Sequence, residues 1–108
     1  MEDLVLQIDA ESWQQSSSLG ISCPIYFRAG VDFFPDKGWW DFPIQILGWW
    51  LEELEKLADS WRFSFMDGPY FTSVARNGPS FELLGHRRTS AESKIVFRHG
   101  MNPKLLAA

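Results

Sequence analysis

The sequence has few of the residues that disulfide bonds, cysteine-based metal sites or transmembrane helices require. Its single cysteine, Cys23, excludes an internal disulfide and any zinc site built from several cysteines. No run approaches the roughly 18–20 apolar residues of a transmembrane helix. The acidic start, Met-Glu-Asp, is also unlike the basic start of a signal peptide. We therefore expect a cytoplasmic protein with no membrane partner.

Signatures of catalysis and cofactor binding are also missing. The chain has no Gly-rich phosphate loop, no nucleophile elbow and no paired-carboxylate motif. Cys23 has no histidine near it in the sequence, so a small buried thiol is its expected role. His86 and His99 could face each other on neighbouring strands, but zinc needs three or four protein ligands. The sequence thus predicts no cofactor, no metal site and no catalytic residue, and it favours a non-enzymatic protein over an enzyme.

Large aromatic residues, in contrast, are abundant, with six Trp, nine Phe and two Tyr in 108 residues. A fully buried large apolar side chain contributes roughly 1.5–3 kcal/mol, so a few of these rings can hold a small domain without cross-links. The length fits one domain, which we place at residues 1–100, followed by a C-terminal tail at 101–108. Four of the tryptophans form the pairs Trp39-Trp40 and Trp49-Trp50, and a single helix cannot bury both members of a pair.

Hydrophobic spacing divides the chain into strands and one helix. The two-residue period of a strand is found in residues 4–9, 24–34, 61–66, 70–76, 80–88 and 94–99. Residues 41–59 instead have a helical apolar stripe: Pro43, Ile46, Leu47, Trp50, Leu54 and Leu57. Asp41 is the predicted N-cap, with Phe42 as the alternative boundary. The order ββ-α-ββββ predicts an α+β two-layer sandwich, in which one helix covers one face of a mostly antiparallel sheet of about six strands.

The C-terminal half of this helix contains the main candidate binding surface. Trp49 lies off the apolar stripe, so its ring is predicted to be at best half-buried. Three glutamates crowd the helix end where the macrodipole is already negative: Glu52, Glu53 and Glu55. Lys56 is the predicted i,i+4 partner of Glu52. Because interface hot spots are enriched in Trp, these residues are predicted to form an acidic docking surface with Trp49 as its aromatic anchor. The alternative is a solvated acidic face that pairs with Arg62 or other basic residues.

Charge is distributed unevenly along the chain. Residues 1–59 contain eleven acidic and three basic residues, a balance of −8, whereas residues 60–108 contain three acidic and seven basic residues, a balance of +4. Four of these basic residues fall on the last two predicted strands: Arg87, Arg88, Lys94 and Arg98. On a shared face they would form a basic patch for phosphate or an acidic protein; the alternative is that they discourage edge-to-edge aggregation. The net charge of −4 argues against a nucleic-acid partner.

Two stretches resemble small bacterial protein families that are uncharacterised: Phe34-Pro35 through Trp40-Asp41-Phe42 to Trp50, and Phe65-Met66-Asp67-Gly68-Pro69-Tyr70. The layout of one helix on an antiparallel sheet is also similar to that of some immunity proteins, which neutralise secreted bacterial toxins. This resemblance implies a bacterial protein that acts by binding another protein, and it assigns no role to any residue.

Two classes of function are therefore open. The leading hypothesis is a non-enzymatic domain that binds a protein of basic character, with toxin immunity as one version, through this surface: Trp49, Glu52, Glu53 and Glu55. The alternative is a small-molecule binding domain or a small enzyme, with an aromatic cleft between helix and sheet lined by these residues: Trp39, Trp40, Trp61 and Tyr70. A homodimer through the uncovered face of the sheet is compatible with both.

Overall fold

The computed structural model describes residues 3–16, 20–66 and 68–101. The strands are β1 (Leu4–Ile8), β2 (Gln14–Ser16), β3 (Gly20–Ala29), β4 (Asp32–Phe34), β5 (Trp40–Asp41), β6 (Ser60–Ser64), β7 (Tyr70–Asn77), β8 (Ser80–Arg88) and β9 (Ser93–Met101). Helix α1 spans Pro43–Leu54, and a 3-10 turn spans Ala10–Ser12. Apart from Met101, the predicted tail lies outside the described residues. Neither described helix has the length and apolarity that crossing a membrane requires.

The strands form two antiparallel sheets, and with one α-helix they confirm the predicted α+β sandwich. In the N-terminal sheet, the long strand β3 pairs with β1, β2, β4 and β5. The C-terminal sheet is a meander in the order β6-β7-β8-β9. The number of strands therefore differs from the six expected in a single sheet. The two-residue period shows which side of a strand is apolar, but it does not show which strand lies beside it.

One divided strand and two short additional strands account for the difference in strand number. The predicted strand at 24–34 is divided because Gly30, with φ of 60°, turns the chain between β3 and β4. Residues Gln14–Ser16, which lie outside the predicted strands, pair with β3. A third short strand, Trp40–Asp41, pairs with residues 23–24.

The two sheets and the helix share one aromatic core. Trp50 of α1 stacks on Phe27 of β3, with ring centroids 5.7 Å apart. Phe34 of β4 lies directly on Gly85 of β8, where a Cβ atom would come within 2.6 Å of the Phe34 ring. Only glycine allows the two sheets to approach this closely at that point.

The N-terminal boundary of α1 is Phe42, which has extended backbone and precedes Pro43 in the first turn. Asp41, the predicted N-cap, is therefore one residue too early. Its carboxylate is buried and accepts hydrogen bonds from the Phe42 backbone N–H at 2.8 Å and from the Trp39 Nε1–H at 3.1 Å. Asp41 thus fixes the segment that leads into the helix.

The C-terminal boundary is Leu54, so the helix is shorter than the predicted range 41–59. Acidic residues destabilise this end through the macrodipole, and no basic residue lies in the last turn. The Trp61 Nε1–H donates to the Lys56 carbonyl at 3.2 Å and stabilises the turn that follows. Leu57, which was placed on the apolar stripe, is consequently fully exposed.

The C-terminal sheet takes its register from one tight hairpin. Asn77 lies opposite Ser80, and Gly78 has a positive φ of 63°, as expected for a tight hairpin with an Asn-Gly turn. Further along, a bulge between Gly85 and His86 shifts β9 relative to β8. This bulge determines which side chains of β9 reach each face.

Candidate functional site: two clefts beside the helix

Helix α1 separates two clefts along its C-terminal half. Residues 47, 50, 51 and 54 line one of them, and residues 49, 52 and 53 line the other. This division follows from the helical advance of about 100° per residue. Trp49 and Trp50, although adjacent in the sequence, therefore face different surroundings.

The first cleft, which we call the polar groove, lies between α1 and β6 and has a volume of about 420 Å³. It is lined by Trp49, Glu52, Glu53, Lys56, Arg62 and Ser64. The Trp49 side chain is 45% exposed, in agreement with its place off the apolar stripe. Glu55, the C-cap of the helix, is exposed and does not line the groove. The structure therefore brings together three of the four predicted partner-binding residues.

Glu53 is held within the polar groove by two hydrogen bonds. Its Oε1 accepts from Lys56 Nζ at 2.7 Å, and its Oε2 accepts from the Arg62 backbone N–H at 2.9 Å. The Lys56 hydrogen bond, followed by the Arg62 amide, lowers the pKa of Glu53. Lys56 thus pairs with Glu53 and not with Glu52, the partner predicted from the i,i+4 spacing. Glu52 remains exposed.

Arg62 connects the groove to a stack of side chains on the outer face of the C-terminal sheet. The Phe71 ring lies between the Arg62 guanidinium, 3.8 Å from the ring centroid, and the His86 imidazole, stacked at 4.5 Å. Arg88 approaches the same ring at 5.1 Å. His86 Nε2 is 2.8 Å from Ser73 Oγ. The pKa of His86 is lowered mainly by its burial and, to a smaller extent, by the positive charge of Arg62. The sequence analysis did not identify this stack, although the hairpin register implies that Phe71 and His86 are opposite.

The four residues of the predicted basic patch do not share a face. Arg87 lies opposite Lys94, whereas Arg98 lies opposite Leu84. Because the bulge adds one residue to β9, Arg98 is on the outer face with Arg88, and Lys94 is on the other face. The alternation used in the prediction was interrupted at this bulge, and the patch is divided into two pairs.

The remaining candidates for chemistry are separated from one another. His86 lies opposite Ile95 and His99 opposite Leu83, which places the two imidazoles on opposite faces of the sheet. Within residues 3–16, 20–66 and 68–101, no group of three or more His, Cys, Asp or Glu residues could hold a metal ion. Cys23 is buried, and this burial, followed by the negative charge of Asp9, raises the pKa of its thiol.

The second cleft, which we call the apolar pocket, lies on the Trp50 side of α1 and has a volume of about 500 Å³. It is lined by Leu4, Val5, Leu6, Phe27, Leu47, Trp50, Leu51, Leu54, Phe63 and Leu83. Leu51 is 64% exposed and forms part of the rim, whereas Trp50 and Leu83 are buried at the inner wall. None of the lining residues that the structure describes is polar.

The apolar pocket is not the aromatic cleft expected from the sequence. Trp39 and Tyr70 pack against each other, with ring centroids 5.2 Å apart, and Trp61 packs against Phe81. Trp40 lies on β5 and is partly exposed. A cleft beside the helix does exist, but all four predicted lining residues lie elsewhere. Its actual walls are mostly leucines, of which only Leu47 and Leu54 belong to the apolar stripe predicted for the helix.

Comparisons of the chain with protein-family models, curated proteins and solved structures give no match. The two clefts are therefore the features of this chain from which a function can be inferred.

Proposed function

We propose that this protein acts by binding another protein through the polar groove and the adjoining end of α1. The observation that carries the proposal is the exposed Trp49 ring, which borders a groove that contains charged groups of both signs. Trp is enriched among the residues that dominate binding energy, particularly where a ring is surrounded by groups that exclude water on binding. Trp49 would be the aromatic anchor of the interface.

The charge around Trp49 favours a partner of basic character. Glu52 and Glu55 are exposed at the C-terminal end of α1, where the macrodipole adds partial negative charge. Lys56 is already paired with Glu53, and the Arg62 guanidinium stacks on the Phe71 ring. Lysine or arginine side chains of a partner would therefore meet negative charge that the helix itself leaves largely uncompensated.

Association kinetics test this proposal. A partner is first captured from a lysate with the immobilised protein, identified by mass spectrometry and purified. The double variant Glu52→Lys, Glu55→Lys is expected to bind this partner more slowly and with a weaker salt dependence, while its melting temperature is unchanged. Glu53 is left intact in this variant because its hydrogen bonds to Lys56 and Arg62 are structural.

The matched control is the double variant Glu11→Lys, Glu92→Lys, which changes the net charge by the same amount at exposed positions outside the groove. It should associate nearly as fast as the natural protein. If both double variants associate equally slowly with the partner, net charge alone explains the effect. That result would contradict the proposal that the partner binds specifically at the end of α1.

The aromatic anchor is tested separately through dissociation. A hot-spot residue contributes about 2 kcal/mol or more, so Trp49→Ala should weaken binding of the captured partner by on the order of 30-fold, mainly through faster dissociation. Leu57→Ala is the control, because Leu57 is also exposed but lies outside the groove. Unchanged affinity in Trp49→Ala would remove Trp49 from the interface.

Toxin immunity is one version of this proposal, supported by the resemblance in layout between the helix on its antiparallel sheet and some immunity proteins. If the captured partner is a toxin, co-expression of this chain should protect cells from it. The Glu52→Lys, Glu55→Lys variant should then protect less well. A captured protein without toxicity would leave the binding surface in place and reject the immunity role.

A further inference from the structure

The apolar pocket is held open by a fixed inner wall. The Trp50 Nε1–H donates to the Ser64 carbonyl at 2.8 Å, and the same ring stacks on Phe27. Trp50 could not swing into the pocket without losing both contacts. On the opposite side, β1 is held by its pairing with β3 from Leu4 to Ile8. The walls are therefore positioned by the fold and do not depend on an occupant.

The described walls of this pocket offer water few hydrogen bonds. A bound water molecule needs two to four polar partners, and all ten described lining residues have apolar side chains or, for Trp50, a largely apolar ring. The one N–H group among their side chains, that of Trp50, already donates to Ser64. The volume of about 500 Å³ lies within the range of roughly 300–1,000 Å³ that is typical of small-molecule sites. An apolar ligand would satisfy the lining where water does not.

The dimensions of the pocket favour an elongated ligand. An apolar cavity of about 150 Å³ accommodates one benzene molecule, so this pocket exceeds the space that a single ring requires. Its helical wall extends from Leu47 to Leu54, which corresponds to about 10 Å along the axis. Branched aliphatic side chains make up most of the lining, and they can contact a row of methylene groups along this length.

None of the described residues that line the pocket is charged, so a charged head group would have to remain in solvent while the apolar part is buried. We propose that the apolar pocket binds a single unbranched acyl or alkyl chain, with its head group at the open side near Leu51. This site is separate from the protein-binding surface, because none of its lining residues belongs to the polar groove.

A series of saturated fatty acids tests the proposal. Octanoate, decanoate, dodecanoate and tetradecanoate are titrated below their aggregation concentrations by calorimetry. Each buried methylene contributes about 0.8 kcal/mol, so affinity should rise about fourfold per methylene until the pocket is full and then level off. The corresponding alcohols should show the same dependence on chain length, because the head group lies outside the pocket.

A pair of variants on the same helix shows whether the ligand occupies this pocket. Leu51→Glu places a charge at the rim and should weaken dodecanoate and dodecanol binding by roughly tenfold or more. Ile44→Glu is the matched control, since Ile44 is 68% exposed on α1 but does not line the pocket. Both positions are exposed, so both variants should fold normally, which circular dichroism verifies.

Three results would overturn the proposal: no dodecanoate binding at millimolar concentration, an affinity that does not depend on chain length, or equal weakening of binding by Leu51→Glu and Ile44→Glu.

The oligomeric state is measured in parallel by analytical sedimentation. If the natural protein self-associates and Leu51→Glu alone abolishes this, the pocket is covered by a second copy of the chain and the lipid-like ligand is rejected. None of these results bears on Trp49 or Glu52, so the protein-binding proposal stands or fails separately.

Discussion

The two sides of helix α1 are held in place by different kinds of contact. On the Trp50 side, the ring packs among phenylalanines such as Phe27 and Phe63, and the contacts are almost entirely apolar. On the Trp49 side, the fixed contacts are charged hydrogen bonds that converge on Glu53. Apolar burial is largely independent of salt, whereas exposed charge pairs are screened by it. The helix is therefore anchored by one side and left accessible on the other, and each side can be perturbed independently.

The largest expected effect is on the anchored side. Trp50→Ala should lower the free energy of unfolding by about 3–5 kcal/mol, because a large buried ring is replaced by a cavity. Urea denaturation at two salt concentrations measures this loss, which should be the same at both. A loss below about 1 kcal/mol would show that the Trp50 side does not anchor the helix.

An intermediate effect is expected at Glu53. Glu53→Gln removes the ion pair with Lys56 and weakens the acceptor for the Arg62 N–H, at a cost of about 1 kcal/mol after allowance for partial exposure. Because the pKa of Glu53 is lowered, its contribution to stability is present above the unfolded-state pKa of about 4.3 and is lost as the pH falls through the folded-state pKa. Thermal unfolding between pH 3 and pH 7 should show this dependence in the natural protein and in Glu52→Gln, but not in Glu53→Gln.

Trp49→Ala should change stability much less than Trp50→Ala, by no more than about 1 kcal/mol, since the Trp49 ring is partly in solvent. Urea denaturation of the two alanine variants, measured side by side, gives the contrast directly. A comparable loss of stability in both variants would mean that the Trp49 ring is also part of the core. Trp49 could then not serve as the aromatic anchor of a protein interface.

The smallest expected effect concerns His86, which stacks on the Phe71 ring that Arg62 and Arg88 also approach. Its lowered pKa means that the unfolded chain binds the proton more readily. Stability should therefore decline as the pH falls below the unfolded-state value of about 6.5 and stop declining below the folded-state pKa. Melting temperatures between pH 5 and pH 8 should show this decline in His99→Gln but not in His86→Gln. The same decline in both variants would assign it to another group.

The helix phase and the main hairpin could be predicted because both are local properties. The angle of about 100° per residue separates Trp49 from Trp50, and Asn77-Gly78 has the positive-φ preference of a tight turn. The end of the helix was less predictable, because Leu57 continues the apolar spacing beyond the last helical residue. There the charges near the C-terminus and the Trp61 hydrogen bond to Lys56 decide the boundary.

The clefts could be predicted only in part, because they depend on how distant segments pack. The Trp49 and Glu52 positions follow from the helix, but the contact of Glu53 with the Arg62 backbone depends on the turn that brings β6 back along α1. The apolar pocket requires β1 to lie beside the helix, and no local pattern indicates this. Alternation alone places the adjacent residues Arg87 and Arg88 on opposite faces, but the separation of Lys94 from Arg98 depends on a single extra residue in β9, which alternation does not reveal.

The contact between Phe34 and Gly85 restricts how the sequence can change. Any side chain at position 85 would overlap the aromatic ring above it unless position 34 became smaller at the same time. Whether a substitution at position 34 or 85 is tolerated therefore depends on the residue at the other position, although 51 positions separate them in the chain. Substitution histories of this protein should accordingly show the two sites changing together, with enlargement at 85 accepted only after contraction at 34.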